Sequence, residues 1–167
     1  MRKETAKRVL AVDVYSRGVG FAVLEGPDCL IDWGLRTTGK ADNAKATRVI
    51  DKLIDRFRPD VLALEDWDSV GARRCKRVQK LLDRIAADEG RRVLVRLVTR
   101  RALCAIGPLT QTGTKYGRAC FLGERFPELQ AFLPRVRKPW MPEDDRMAVF
   151  DALSFAVACS ETTRRTA

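Results

Sequence analysis

Two short apolar runs, each followed directly by an acidic residue, constrain the fold of this chain more than any other feature. The run Val9–Val12 leads into Asp13, and the run Val61–Leu64 leads into Glu65. Continuous apolar runs of this length are typical of strands that are covered on both faces. A carboxylate is costly to bury in such a run unless it is paired or bound to a cation. Because ligand sites in open α/β sheets lie beyond the carboxyl ends of the strands, the two acids predict one shared site.

Three further strands are predicted around these two runs. Turn signals at Ser16–Gly18 and Gly26–Asp28 separate the first run from strands at Val19–Leu24 and Leu30–Thr38. Together with the first run, these strands form an antiparallel meander. Val93–Val98 supplies the fifth strand.

The clearest helix begins after Asp42, a good capping residue, and carries apolar residues at helical spacing as far as Phe57. Pro59 ends it. The other helices are predicted at Ser69–Asp88, Gly117–Phe126 and Glu143–Ser160, with a loop over Ala105–Gly117. The pattern is that of an α/β fold: a five-stranded mixed sheet of three antiparallel strands and then two parallel strands, flanked by helices. Residues 1–167 suit a single domain.

The sequence contains no histidine. This absence excludes the serine and cysteine hydrolases that depend on a histidine base, and most zinc hydrolases. The five cysteines are scattered and form no Cys-x-x-Cys pair, so the sequence predicts neither a disulfide framework nor a zinc site. Any hydrolytic chemistry must therefore depend on carboxylates, lysine or bound cations.

A third group of carboxylates belongs to the predicted last helix. Glu143, Asp144 and Asp145 lie at its start, and Asp151 lies further along it. Asp144 and Asp145 also have a simpler explanation, because acidic residues complement the dipole at a helix N-terminus. Carboxylates that converge without histidine suit hard cations such as Mg²⁺ or Mn²⁺. Two such ions can activate water and stabilise the leaving oxygen of a phosphodiester.

Taken in order, these segments resemble the motifs of RuvC-type Holliday junction resolvases. The matching residues are Asp13 with Ser16, Arg17 and Gly20, then Leu64-Glu65, then Asp151-Ala152-Leu153-x-x-Ala156. The resemblance implies an RNase H-like fold, a homodimer, two Mg²⁺ (or Mn²⁺) ions and paired nicks at four-way DNA junctions. It also implies that Asp13, Glu65 and Asp151 match the first, second and last catalytic, metal-binding acids of that family.

The chain departs from the family pattern in two places. Val14-Tyr15 stands where the family has Pro-Gly, and Ala148 stands where the family has an acid three residues before the last one. Asp144 lies seven residues before Asp151, which is about 10 Å along an ideal helix. Either Asp144 lies in a turn before the helix that folds back to the site, or only one end of the helix serves it. Asp144 and Asp151 are both predicted as catalytic and metal-binding residues, with Asp151 preferred and Asp145 as a further alternative.

A net charge of +10 predicts a surface that attracts polyanions, and nucleic acid is the expected partner. A basic stripe is predicted on the second helix, formed by Arg73, Arg77, Lys80 and Arg84. Such a stripe favours contact with phosphates, although it is also compatible with a solvated face or with a helix in a dimer interface. The other predicted nucleic-acid-binding residues are Arg100, Arg101, Lys115 and Arg118. Lys115 is expected near a scissile phosphate.

Three functions remain open at this point. The leading hypothesis is a metal-dependent, structure-selective endonuclease acting on branched DNA; the second applies the same chemistry to RNA or an RNA–DNA hybrid. The third is a non-catalytic nucleic-acid-binding module, for which Ala148 is the main support. Trp67 and Trp140 either stack on splayed bases or pack in the core. The sequence has no apolar run of membrane-spanning length and no signal-peptide pattern at its start, so a cytoplasmic protein is expected.

Overall fold

A computed structural model describes residues 6–90, 92–106 and 113–165, and a five-stranded mixed sheet forms its centre. The strands are β1 Arg8–Tyr15, β2 Gly18–Glu25, β3 Leu30–Thr37, β4 Val61–Glu65 and β5 Leu94–Val98. They lie in the order β3-β2-β1-β4-β5. The first three pair antiparallel, whereas β4 pairs parallel with both β1 and β5. The predicted mixed sheet is therefore confirmed.

Helices cover both faces of this sheet. They are α1 Asn43–Phe57, α2 Lys76–Glu89, α3 Arg100–Cys104, α4 Lys115–Arg125 and α5 Met147–Arg165, with a 3₁₀ helix at Pro127–Phe132. Leu10 and Val12 of β1 belong to the core beneath α1 and α2, while Val9 and Ala11 belong to the core beneath α3, α4 and α5. This alternation is what a strand buried on both faces requires. Within the described ranges, no helix is long and apolar enough to cross a membrane.

The first helix forms as its capping signals predict. The side chain of Asp42 accepts a hydrogen bond from the backbone N–H of Lys45 at 3.0 Å, which satisfies one of the free donors at the helix N-terminus. The helix ends at Phe57, and Arg58 takes a left-handed conformation with φ 45° just before Pro59. The predicted bounds of this helix are confirmed.

The second helix begins later than the sequence pattern predicts, at Lys76 rather than Ser69. Residues after β4 are held in turns instead: the Ser69 hydroxyl donates to the backbone oxygen of Asp66 at 2.7 Å, and Gly71 has a φ of +86°. Short polar side chains compete with helix formation in this way. We call the segment between β4 and α2, residues 66–75, the β4–α2 loop.

The last helix also begins later, at Met147 rather than Glu143. The Asp144 carboxylate accepts a hydrogen bond from the backbone N–H of Arg146 at 3.0 Å, so this region folds as a turn. Asp144 therefore lies before the helix, as the first of the two sequence alternatives supposes.

Two smaller differences concern the region between β5 and α5. The sequence pattern does not predict α3, a single short turn whose cap, Thr99, accepts a hydrogen bond from the N–H of Ala102 at 3.2 Å. The helix predicted at Gly117–Phe126 begins earlier, at Lys115, because Thr114 caps it. The predicted loop over Ala105–Gly117 is only partly described, since residues 107–112 lie outside the described part of the chain.

Candidate functional site

Strand register brings Asp13 and Glu65 to one level of the sheet. The parallel pairing of β1 with β4 ends at Ala11 opposite Ala63. Asp13 and Glu65 each follow two residues later, so they share the face of those two alanines, which is covered by α5. Asp13 is only 4% exposed.

Asp13 does not end its strand, contrary to the sequence prediction. β1 continues to Tyr15 because its antiparallel pairing with β2 extends to Tyr15 opposite Gly18. The carboxylate therefore lies inside β1 but beyond the last residue pair with β4, where the sheet opens on one side.

A close approach between β2 and α5 brings Asp151 to the same site. Gly20 pairs with Asp13 across the sheet, and a Cβ atom at Gly20 would lie 2.7 Å from the Cβ of Ala148. The glycine and the small Ala148 side chain thus allow the first turn of α5 to lie against the sheet. Asp151 follows one turn later, and its residue is 7% exposed. This packing gives a physical reason for the glycine at position 20, where a larger side chain would meet the backbone of Ala148.

The two strand carboxylates are bridged by Arg74, which no sequence motif indicates. The Arg74 guanidinium forms ion pairs with both Asp13 and Glu65, and it also donates to the backbone oxygen of Val14 at 2.9 Å. Its side chain is 21% exposed. We call these three side chains, Arg74, Asp13 and Glu65, the Arg74 cluster. The sequence indicates such a partner only indirectly, because two buried carboxylates need a cation.

A second cluster lies beside the first, where α4 meets α5. Lys115 Nζ lies 2.7 Å from Asp151 Oδ2 and 2.6 Å from Glu143 Oε1. Lys115, Asp151 and Glu143 are called the Lys115 cluster below. Its lysine and glutamate side chains are 42% and 45% exposed, so this cluster is open to solvent on one side.

Burial sets the proton affinities of these carboxylates. It raises the pKa of Asp13, although the charges of Arg74 and Lys115 oppose the shift. Burial, together with the nearby charge of Asp13, raises the pKa of Asp151 to about 6, again against the effect of Lys115. Burial lowers the pKa of Arg74 and of Lys115, but the surrounding carboxylates outweigh it, so both pKa values are raised. Both cations therefore stay charged.

A polar cavity of about 220 Å³ opens between the two clusters. Its lining includes Asp13, Arg74, Lys115 and Asp151, with Glu143, Asp144 and Asp145 also contributing. Asp144 is held by Arg146 at 2.7 Å, a hydrogen bond that lowers the pKa of its carboxyl, and Asp145 is held by Arg17 at 2.7 Å. Both acids thus line the cavity, but each is paired with an arginine.

The cavity carries the oxygen donors that hard cations prefer. In the ranges that the structure describes, however, no three acidic, cysteine or histidine side chains converge as a set able to hold a metal ion. Instead, Arg74 and Lys115 supply the positive charge beside the buried carboxylates. The oxygen donors suit Mg²⁺ or Mn²⁺. An ion fits among them only if the side chain of Arg74 or Lys115 moves away.

The predicted basic residues fall into two sets. The stripe is shorter than predicted, because Arg73 lies in the β4–α2 loop and only Arg77, Lys80 and Arg84 belong to α2. Within it, Arg77 donates to Asn43 of α1 at 2.6 Å, and Arg84 lies 3.5 Å from Asp88. The second set belongs to α3 and α4 and consists of Arg100, Arg101, Lys115 and Arg118.

Besides Lys115, two members of the second set are tied to the site. Arg100 donates to the backbone oxygen of Gly71 at 3.0 Å and so contacts the β4–α2 loop. The charge of Arg118 lowers the pKa of Asp151, and the Arg118 Nε is buried with no hydrogen-bond partner in the described chain.

The two tryptophans singled out in the sequence differ in burial. Trp67 is 8% exposed and packs in the core, whereas Trp140 is 77% exposed, with Lys138 Nζ 5.5 Å from its ring centre.

The sheet order and the flanking helices define an RNase H-like fold, and comparison with solved structures supports this assignment. Thermus thermophilus RuvC matches with a TM-score of 0.64 at 15% identity, covering 95% of this chain and 96% of that one. T. thermophilus RuvC in complex with a Holliday junction substrate matches with a TM-score of 0.65 at 14% identity, covering 95% of this chain and 96% of that one. The yeast mitochondrial Holliday junction resolvase matches with a TM-score of 0.53 at 12% identity, covering 97% of this chain and 83% of that one. No protein-family model and no curated protein matches the sequence.

Proposed function

We propose that this chain is a metal-dependent, structure-selective DNA endonuclease that cuts four-way junctions. The observation that carries the proposal is the meeting of two buried carboxylates, Asp13 and Asp151, at one polar cavity, with the half-buried Glu65 joined to Asp13 through Arg74. That cavity lies in a fold that matches junction resolvases over nearly their whole length.

In this proposal Asp13, Glu65 and Asp151 hold two Mg²⁺ or Mn²⁺ ions, with Asp144 contributing from the cavity wall. Bound ions of this kind supply an activated water and charge stabilisation at the leaving oxygen. The chain's own groups orient the substrate: Lys115 lies on the open side of the cavity, where its ammonium can exchange a carboxylate for a phosphate oxygen. Arg118 contributes a further positive charge.

Substrate binding is assigned to the basic surface around the cavity. A net charge of +10 favours a polyanion, and Arg100, Arg101 and Arg118 are the proposed backbone contacts nearest the site. Trp140 presents an exposed ring that suits stacking on an unpaired base at a branch point. Paired cuts at a four-way junction require two sites, so we also propose a homodimer.

The decisive experiment compares cleavage of labelled four-way junction, linear duplex, single-stranded RNA and RNA–DNA hybrid, each with Mg²⁺ and with EDTA. The proposal predicts cleavage of the junction alone, and only with Mg²⁺. Preferential cleavage of RNA or hybrid would transfer the same site to a different substrate. Tight junction binding without any cleavage would identify a non-catalytic binding module.

A further inference from the structure

The buried half of the site already contains a cation that belongs to the chain itself. The Arg74 guanidinium bonds to the carboxylates of Asp13 and Glu65 and to the backbone oxygen of Val14. These are hard oxygen ligands, of the kind that a divalent ion of the Mg²⁺ class takes in proteins. A planar guanidinium can bridge two carboxylates in this way because its donors form a rigid fork.

We infer that Arg74 and a divalent cation compete for the carboxylates of Asp13 and Glu65, so that an ion enters only after Arg74 has left them. The inference rests on the proposed function, which assigns a metal ion to these two residues. The guanidinium holds one oxygen of each carboxylate, which an ion would need as a ligand. A dication added without the departure of Arg74 would bring like charges together at a site where Asp13 is 4% exposed.

Arg74 belongs to the β4–α2 loop and not to a helix or a strand. The loop includes Val70, which is 98% exposed, and Gly71 with its φ of +86°. Arg74 is the next-to-last residue of this loop, since Cys75 is the N-cap of α2. A DNA phosphate is an anion that a guanidinium binds as readily as a carboxylate. Phosphate binding by Arg74 therefore releases the two carboxylates for a metal ion, and by linkage metal binding strengthens DNA binding.

The direct test measures Mn²⁺ binding without DNA by titration calorimetry. Wild type, Arg74→Gln and Arg73→Gln are compared. Arg73 is a matched control for this measurement because it is the adjacent residue, carries the same charge and is exposed. Arg74→Gln should bind Mn²⁺ about tenfold more tightly than wild type. Arg73→Gln should stay within about twofold, because an exposed charge is screened.

Thermal unfolding gives a second readout, which a merely structural Arg74 would not reproduce. In EDTA, Arg74→Gln should melt at a lower temperature than wild type because two carboxylates lose their partner. Mn²⁺ should then raise the melting temperature of Arg74→Gln more than that of wild type, since an ion that binds only the folded state stabilises it. Arg74→Lys keeps a charge without the bridging fork and should fall between the two, which also covers poor folding of the glutamine variant.

The inference is overturned if Arg74→Gln and Arg74→Lys bind Mn²⁺ no more tightly than wild type. Cleavage of the junction by wild type is measured separately. Cleavage without any gain in metal affinity in the variants removes the competition and leaves the proposed function standing. A gain in metal affinity without wild-type cleavage removes the proposed function and leaves the competition.

Discussion

The Arg74 cluster and the Lys115 cluster pair basic with acidic side chains in the same cavity wall, but they are built differently. Arg74 bridges carboxylates from two central strands, and its side chain is 21% exposed. Lys115 lies at the first residue of α4, pairs with Asp151 and Glu143, and is 42% exposed. A bridging guanidinium is held by several bonds, whereas an ammonium is a point charge on a flexible stem.

This difference shows which of the two basic side chains can contact a substrate phosphate without leaving a buried partner. Lys115 can exchange Glu143 for a phosphate oxygen by a side-chain rotation, because both groups face solvent. Arg74 can contact a phosphate only if it leaves a buried pair of carboxylates. We therefore expect the carboxylates of the Arg74 cluster to be essential to cleavage. Glu143, the exposed carboxylate of the Lys115 cluster, should matter less.

The largest expected effect tests this ranking directly. Asp13→Asn removes a proposed ligand charge with little change in volume, and should lower the single-turnover rate of junction cleavage by about 10³-fold, equivalent to several kcal/mol. Glu143→Gln, in the exposed part of the Lys115 cluster, should lower it by less than about tenfold. Gel-shift assays in EDTA should show junction binding by both variants. Equal loss of cleavage in both variants would contradict the ranking.

The next effect concerns pH and the stability of the free protein. The pKa of Asp151 is about 6 in the fold and 3.8 ordinarily, so between these values the native state holds a proton that the unfolded chain has lost. The free energy of unfolding should therefore fall as the pH rises from about 4 to about 6, by up to about 3 kcal/mol more in wild type than in Asp151→Asn.

Urea denaturation in EDTA across this pH range measures the difference between the two proteins. Asp13 also has a raised pKa and interacts with Asp151, so the difference between the two proteins reports the titration of this pair of carboxyl groups. Identical pH dependence in wild type and Asp151→Asn would show that Asp151 keeps its ordinary proton affinity.

A smaller effect separates Lys115 from the general positive charge of the surface. Lys115→Met should lower the rate of junction cleavage by about 10²-fold, the usual cost of removing one preorganised electrostatic group at a reacting centre. Lys52, an exposed lysine of α1, provides the matched control, and Lys52→Met should cleave at the wild-type rate. If both variants lose activity equally, the effect of Lys115 is only one of net charge.

The smallest effect concerns α2, on the other face of the sheet. If Lys80 and Arg84 bind phosphates, their double substitution to glutamine should reduce the slope of log affinity against log salt. The expected reduction on duplex DNA is about 0.9 for each phosphate that the variant no longer neutralises. If α2 instead lies in a dimer interface, sedimentation will show a changed monomer–dimer equilibrium. An unchanged salt slope together with that shift would refute phosphate binding by α2.

Much of the fold could be predicted because its signals are local. The apolar runs of β1 and β4, the spacing in α1 and the cap at Asp42 each depend on residues close together in the chain. The predicted starts of α2 and α5 were wrong because acidic side chains compete there: Asp66 and Asp144 accept hydrogen bonds from nearby backbone N–H groups and hold turns where the sequence pattern predicts helix.

The sequence by itself determined the succession of strands along the chain and the residue types of the site: acids that follow or end apolar runs, no histidine, and an excess of positive charge. Only the tertiary structure decided which cation faces which acid. Arg74 pairs with Asp13 across 61 positions of chain and with Glu65 across nine, and neither separation follows a helix or strand period. Such a pair is selected by the cost of burying a charge without a partner, and that cost exists only once the sheet and α5 have excluded water from the site.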